Sequence, residues 1–282
     1  MQKIYVRPMS LSYGSDATNL IKLKKALPIC GNKKLAFSNI EIIFRTKKNI
    51  KKNINIDQLQ KLPKKVKKSV LKKIKNIISK RKKISGLDFD KFNIFGVLNM
   101  TPDSFSDGGK FNKLKIAKMH SKKMINDGAS FIDIGGESTR PGAKLISIET
   151  EKRRVLPIIF KMKKYNISID TRKSDVMIAA IKKGANIIND VSALDFDQNS
   201  LKVVSKLKKP VILNHSQGTP DIMQNNPKYQ NVLLDIYDYF ENKINQLTRR
   251  KFLRKNIILD PGIGFGKNLN HNLNLNSNVG LF

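Results

Sequence analysis

Tryptophan is absent from the 282 residues, cysteine occurs once, and acids are scarce, with 22 Asp and Glu against 55 Lys and Arg. Each shortage excludes something. The lone Cys30 forms no internal disulfide, and the Cys and His residues show no zinc-site spacing, so packing must carry the fold. No run approaches the ~20 apolar residues of a membrane span, and "MQKIYVRPMSLSYG" lacks an apolar block followed by a small-residue cleavage site. A soluble cytoplasmic protein is the expectation. Neither a Walker A sequence nor a GxGxxG spacing that opens a helix occurs, and "GIGFG" alone is a weak signal.

What is abundant is lysine. The formal net charge is +33, which ordinarily suggests nucleic acid or an anionic surface as partner. Only about a fifth of the basic residues are arginine, the side chain suited to bidentate phosphate and base contacts. The surplus is also scattered among Asn and Ile rather than gathered in a stripe. It reads as a solvated lysine coat, with no nucleic-acid or membrane partner, whose field attracts small anionic substrates.

Residues 1–90 stand apart as a small basic α+β leader domain, with 24 Lys and Arg against 5 Asp and Glu. "IYVRP" and "NIEIIFRT" read as short strands. "IDQLQKLPKKVKKSVLKKIKNIISKRKK" reads as a basic helix broken near Pro63, with Val66, Val70, Ile74, Ile77 and Ile78 on one face. That stripe is expected to dock on the main domain, the alternative being an acidic partner or a membrane surface.

From residue 92 the pattern changes. "FNIFGVLN", "SFIDIGG", "ISIDT", "ANIIND", "VILNH" and "NIILDPG" are short apolar runs separated by segments with helical spacing. Runs without apolar/polar alternation suit strands buried on both faces, so residues 91–282 are expected to form a parallel sheet covered by helices. A doubly wound sheet and a (β/α)8 barrel both satisfy this pattern. Asn99, Asp133, Asp170, Asn189, Asn214 and Asp260 each fall at or near the end of a run. A doubly wound sheet gathers its ligand at one switch point, whereas here nearly every run ends in a polar residue, which favours a barrel with all strand ends at one mouth. Carboxylates and amides without a nearby Ser or Cys nucleophile suit a pocket that holds a heterocycle, because buried polar edges must be matched group for group.

"FGVLNMTPDSFSDGG" at 95–109 and "DGASFIDIGGESTRPGA" at 127–143 closely resemble the two signature segments of the dihydropteroate synthase family. "SIDTRKSDV", "GANIINDVSAL", "QGTPDIMQ" and "ILDPGIGFGK" match it further on, in order, so the resemblance covers about 92 to 275. It implies a TIM barrel and a Mg2+-dependent condensation of 6-hydroxymethyl-7,8-dihydropterin pyrophosphate with p-aminobenzoate. By the same resemblance Asn99 is a metal ligand, while Asp133, Asp170, Asn189, Asp260 and Lys267 belong to the substrate pocket. Phe105 and Asp107 lie on a first catalytic loop, where Phe105 covers an aromatic ring and Asp107 is available to the metal. Thr139, Arg140 and Pro141 border the aminobenzoate and phosphate regions, with Arg140 pairing an anionic oxygen.

Two departures accompany the resemblance. "LNHSQGTP" stands where the family usually has Met-His-Met, so Asn214 and Ser216 take the methionine places, and His215 either orients a neighbour or is a satisfied core histidine. After "GKNLNHNLNLN" the family continues through two more βα units, so about six units are expected here and the chain reads as C-terminally truncated. The ending "LNSNVGLF" is not expected to complete a good helix, and two sheet edges would be left unpaired. The family is commonly a homodimer through helices at the barrel's far end, some of them among the missing ones. A non-catalytic pterin-holding relative, comparable to the methyltetrahydrofolate domains of corrinoid methyltransferases, is the alternative function. The intact loop signatures favour the synthase.

Overall fold

The computed structural model describes residues 2–101, 110–138, 145–218 and 227–282. Phe105, Asp107, Thr139, Arg140 and Pro141 lie outside the described residues. The chain divides into two compact units, one of residues 1–82 together with 278–282, the other of residues 83–277. Residues 83–90, read with the leader from composition, thus group with the second unit. Leu87 packs there with Phe131, Ile187 and Ile212.

In the first unit, β1 (Ile4–Tyr13), β2 (Leu27–Ile29), β3 (Asn32–Phe44) and β4 (Ile50–Asn55) form an antiparallel sheet in which β3 pairs with each of the others. The two strands legible in the sequence run well past their apolar stretches. Helix α1 (Gly14–Lys22) packs through Ala17 with Ala26 and Ala36. A 3-10 turn at Ile56–Lys61 and then α2 (Lys64–Ile78) follow, the break falling at Pro63, which fits only a first helical turn or a boundary. The stripe on α2 does not wait for the main domain. Val70 and Ile74 are buried against Val6, Phe37, Ile40 and Ile42 of the unit's own sheet. The expected docking is corrected on that point, because a four-stranded sheet of this size needs a helix to cover its apolar face.

The second unit alternates strand and helix six times. Its elements are β5 (Phe95–Asn99), α3 (Lys110–Asn126), β6 (Phe131–Gly135), α4 (Ile148–Met162), β7 (Ile167–Asp170) and α5 (Ser174–Lys183). They continue with β8 (Ile187–Asp190), α6 (Ser200–Leu207), β9 (Val211–Asn214), α7 (Val232–Arg249), β10 (Ile257–Asp260) and α8 (Leu269–Ser277). All six strands are parallel and lie in chain order from β5 to β10, with no switch point. That order belongs to a singly wound (β/α) barrel and not to a doubly wound sheet. Two of the helices begin at side-chain caps: the Ser147 hydroxyl accepts from Thr150 N–H ahead of α4, and the Asn231 amide oxygen from Leu234 N–H ahead of α7. The asparagine-rich segment forms α8 with Leu275 fully buried, and α8 stops at Ser277, so "LNSNVGLF" completes no α-helix, as expected. No described helix is long and apolar enough to cross a membrane.

Candidate functional site

Period-two alternation along each strand separates a floor from a mouth. On one face the strands read Phe95, Val97, Asn99; Phe131, Asp133, Gly135; Ser168, Asp170; Ile187, Asn189; Ile212, Asn214; Ile258, Asp260. The register places these residues beside one another: Val97 pairs with Asp133, Asp133 with Ser168, Gly135 with Asp170, Asp170 with Asn189, and Asn214 with Asp260. At the amino ends Phe95, Phe131, Ile187, Ile212 and Ile258 pack into an apolar cluster, the rings of Phe95 and Phe131 stacked 4.7 Å apart. At the carboxyl ends the same face carries the amides and carboxylates. The six polar residues singled out from the sequence therefore share one face, above one hydrophobic floor.

The polar groups are already organised. Asn189 Nδ2 donates to Asp133 Oδ2 at 2.9 Å, leaving Asp133 Oδ1 buried and without a partner among the described residues. Asp260 Oδ2 accepts from Asn214 Nδ2 at 2.9 Å and its Oδ1 from Gly262 N–H at 2.8 Å. Burial raises the pKa of Asp133, against the pull of Ser168 and Asn189. Burial, joined by the charges of Asp133, Asp190 and Glu151, raises Asp170 well above the ordinary carboxylate range. Two close carboxyls in one dry pocket resist carrying two charges, so the cluster holds protons that isolated aspartates would lose.

Asn99 ends β5 with its side chain exposed. A Cβ at Gly135 would stand 3.4 Å from Asn99 Oδ1 and 3.3 Å from Asp170 Oδ2, so glycine keeps open the gap between them. The described residues contain no group of three His, Cys, Asp or Glu able to cage a metal ion. A lone exposed amide oxygen fits a hard cation that takes its remaining oxygens from substrate and water, as magnesium does.

The segment after β10 is fixed by Lys267. Its ammonium donates to His215 Nδ1 at 3.1 Å, to the His215 carbonyl at 3.1 Å and to the Phe265 carbonyl at 2.7 Å. All three protons are thus spent inside the protein, and Lys267 is buried. Burial lowers its pKa to about 8. His215 packs edge-on against Tyr239, 4.9 Å between ring centroids, so it is both a core residue and the acceptor that orients Lys267. Burial, and then the Lys267 charge, push its pKa down to about 3. Gly262 makes the turn with φ +67°, and a Cβ there would come within 2.0 Å of the His215 carbonyl oxygen. Gly262→Ala is therefore expected to cost more than the ~1 kcal/mol of a left-handed alanine and to lower the thermal midpoint by several degrees. An unchanged melting curve would refute this account of the turn.

Sequence reasoning missed a buried ion network at the neighbouring strand ends. Glu137 Oε2 meets Arg172 at 2.9 Å, and Glu137 Oε1 meets Lys173 Nζ at 2.9 Å. Lys173 Nζ also meets Glu151 Oε2 at 2.6 Å. Glu137 Oε1 accepts the Ile146 N–H at 3.2 Å, which ties the residues on both sides of the "STRPGAKL" stretch to the end of β7. Burial opposes the charge on Glu137, but the bonds from Lys173 and Arg172 outweigh it and hold its pKa below the usual value. The available signal was the pair of basic residues straight after the strand-end "DT", opposite a glutamate straight after "GG". Asp190, on the outer face of β8, was missed too. It accepts from Ser192 N–H at 2.8 Å, Ser192 Oγ at 2.6 Å and Leu194 N–H at 3.1 Å, which fixes the turn beyond Asn189, while burial raises its pKa to about 6.

Comparison with known proteins bears on this arrangement. The family described as "Pterin binding enzyme" matches residues 95–282. Dihydropteroate synthase of Escherichia coli (strain K12) is 43% identical over 194 residues, which cover 68% of this chain and 68% of that protein. The enzyme of the same name from Haemophilus influenzae (strain ATCC 51907 / DSM 11121 / KW20 / Rd) is 41% identical over 199 residues, 70% of this chain and 72% of its own. Among solved structures, Yersinia pestis dihydropteroate synthase with a sulfonamide drug complex superposes with a TM-score of 0.64 at 40% identity, covering 68% of this chain and 71% of the other. Xanthomonas albilineans dihydropteroate synthase with 4-aminobenzoic acid gives a TM-score of 0.63 at 37% identity, over 68% and 69%.

Proposed function

Because this chain belongs to the pterin binding enzymes, and among them to the dihydropteroate synthases, we propose that it joins 6-hydroxymethyl-7,8-dihydropterin pyrophosphate to p-aminobenzoate. The products are 7,8-dihydropteroate and pyrophosphate. The observation that carries this reading is the ring of Asp133, Asp170, Asn189 and Asp260 on one face of the parallel sheet, above an apolar floor. A flat heterocycle rich in N–H donors matches those acceptors, and its faces match the floor.

In the reaction the arylamine nitrogen attacks the exocyclic methylene carbon while the bond from that carbon to the pyrophosphate oxygen breaks. The amine then loses one proton, leaving a neutral C–N bond. No protein nucleophile is needed. Asp133, braced by the Asn189 amide from two strands away, and Asp260, braced by the Asn214 amide of the adjoining strand, hold the ring so that the methylene faces the mouth, which is proximity catalysis. Magnesium, when bound at Asn99 with Asp107 available to it, supplies counter-charge to the departing pyrophosphate. Phe105, Thr139, Arg140 and Pro141 are assigned to the aminobenzoate and phosphate side of the same mouth. The reading places the work in the cytoplasm, on small anionic substrates drawn by the basic surface, in a homodimer as is usual for the family.

The purified chain with both substrates and Mg2+ is expected to release pyrophosphate and dihydropteroate in equal amounts. Asp260→Ala, which removes a charged acceptor, is expected to lower kcat/KM for the pterin substrate by roughly 10- to 100-fold while the KM for p-aminobenzoate moves little. Binding of pterin without any turnover would replace the transferase by a holding module.

A further inference from the structure

We propose that Asn214 is a further ring-binding residue of this site, its Nδ2 steadying the Asp260 carboxylate and its Oδ1 accepting a hydrogen bond from an N–H of the bound heterocycle. The inference rests on the functional reading above and adds a contact to it.

Alternation along β9 places Asn214 above Ile212, on the face shared with Asn189 and Asp260. Its side chain is buried, with Asn214 4% exposed. The amide nitrogen is committed to Asp260 Oδ2 at 2.9 Å. This fixes which end of the amide points where, because the reversed amide would set its oxygen against a carboxylate oxygen. The amide oxygen is then the uncommitted end, buried and without a partner among the described residues. An unmatched buried acceptor costs about 1–3 kcal/mol, a cost that a ligand donor removes on binding.

The surroundings agree. Asp133 Oδ1 and, beside it in register, Ser168 Oγ are also buried on the same face without a partner among the described residues. Unmatched oxygens on one face suit a flat ring with polar groups on its edge. Asn214 also stands where the resembled family usually carries methionine, a side chain that offers only a weak acceptor, so the contact distinguishes this chain.

The test titrates 7,8-dihydropterin, without its second substrate, into the wild-type chain, Asn214→Leu, Asn214→Met and Asp260→Ala, with melting curves for each protein. Both Asn214 variants are expected to bind roughly tenfold more weakly while the KM for p-aminobenzoate stays within about twofold. Adding Asn214→Leu to Asp260→Ala separates direct contact from bracing, since a residue that only braces Asp260 has nothing left to lose in that background. A further loss supports the contact, and no further loss overturns it. Unchanged affinity in both folded Asn214 variants overturns the inference alone, whereas a wild-type chain that binds no dihydropterin overturns the functional reading with it.

Discussion

Lys173→Met is expected to lower the free energy of unfolding by about 3–5 kcal/mol, because it strands the carboxylates of Glu137 and Glu151 in a place that water does not reach. Removing one partner from a buried pair costs more than removing the pair, since the survivor keeps its charge and loses its compensation. Urea unfolding checks this as a drop in midpoint at unchanged slope. Glu137→Gln and Glu151→Gln, added to Lys173→Met, are expected to return part of the loss. A single Lys173→Met variant as stable as the parent would show that the network contributes little. Arg172 remains beside Glu137 in every variant, so the larger penalty falls on Glu151.

Acidification is expected to weaken the fold through His215 by on the order of 5 kcal/mol, the linkage equivalent of a pKa of about 3 in the fold against 6.5 when unfolded. The sign follows from proton uptake. Between those values the unfolded chain binds a proton that the folded chain refuses, so this contribution is intact above pH 6.5 and is lost as pH falls toward 3. Asp190 acts in the opposite sense. Its carboxyl, raised to about 6, takes up a proton in the fold before the unfolded chain does, returning roughly 3 kcal/mol as pH falls from 6 to 3.8. Wild type must therefore be compared with His215→Gln across the same range, because the absolute curve mixes these two groups with Asp133 and Asp170, whose pKa values burial also raises. The variant, whose amide oxygen can still receive Lys267, is expected to show a flatter acid limb, and parallel limbs would sink the assignment.

Much of the second unit was legible because its local signals agree. Each apolar run became a strand, each spaced segment a helix, and the polar run-ends met on one face because two-residue alternation leaves them no other arrangement. Legibility failed where a residue's partner lies far along the chain. Glu137 and Lys173 look like ordinary surface charges until β6 and β7 pair and bring them together. Lys267 ends a glycine-rich segment in the manner of a substrate lysine, yet it turns inward because two carbonyls and an imidazole of its own fold satisfy it. The helix before the tail carried no local signal for a different reason. Asparagine has a weak helical preference, and α8 forms through packing of Leu275, which no local propensity reports. In the first unit, polar residues within β1 and β3 hid the true strand lengths, since pairing to a neighbour extends a strand beyond its apolar stretch.

The strictly sequential order of β5 to β10 has a consequence for how the protein is made. Phe95 finds Phe131, and Ile132 finds Ile167, so each new strand emerging from the ribosome meets a partner already synthesised just before it. Loop closure is then needed only over one helix at a time, and the sheet can lengthen by accretion at a growing edge during translation.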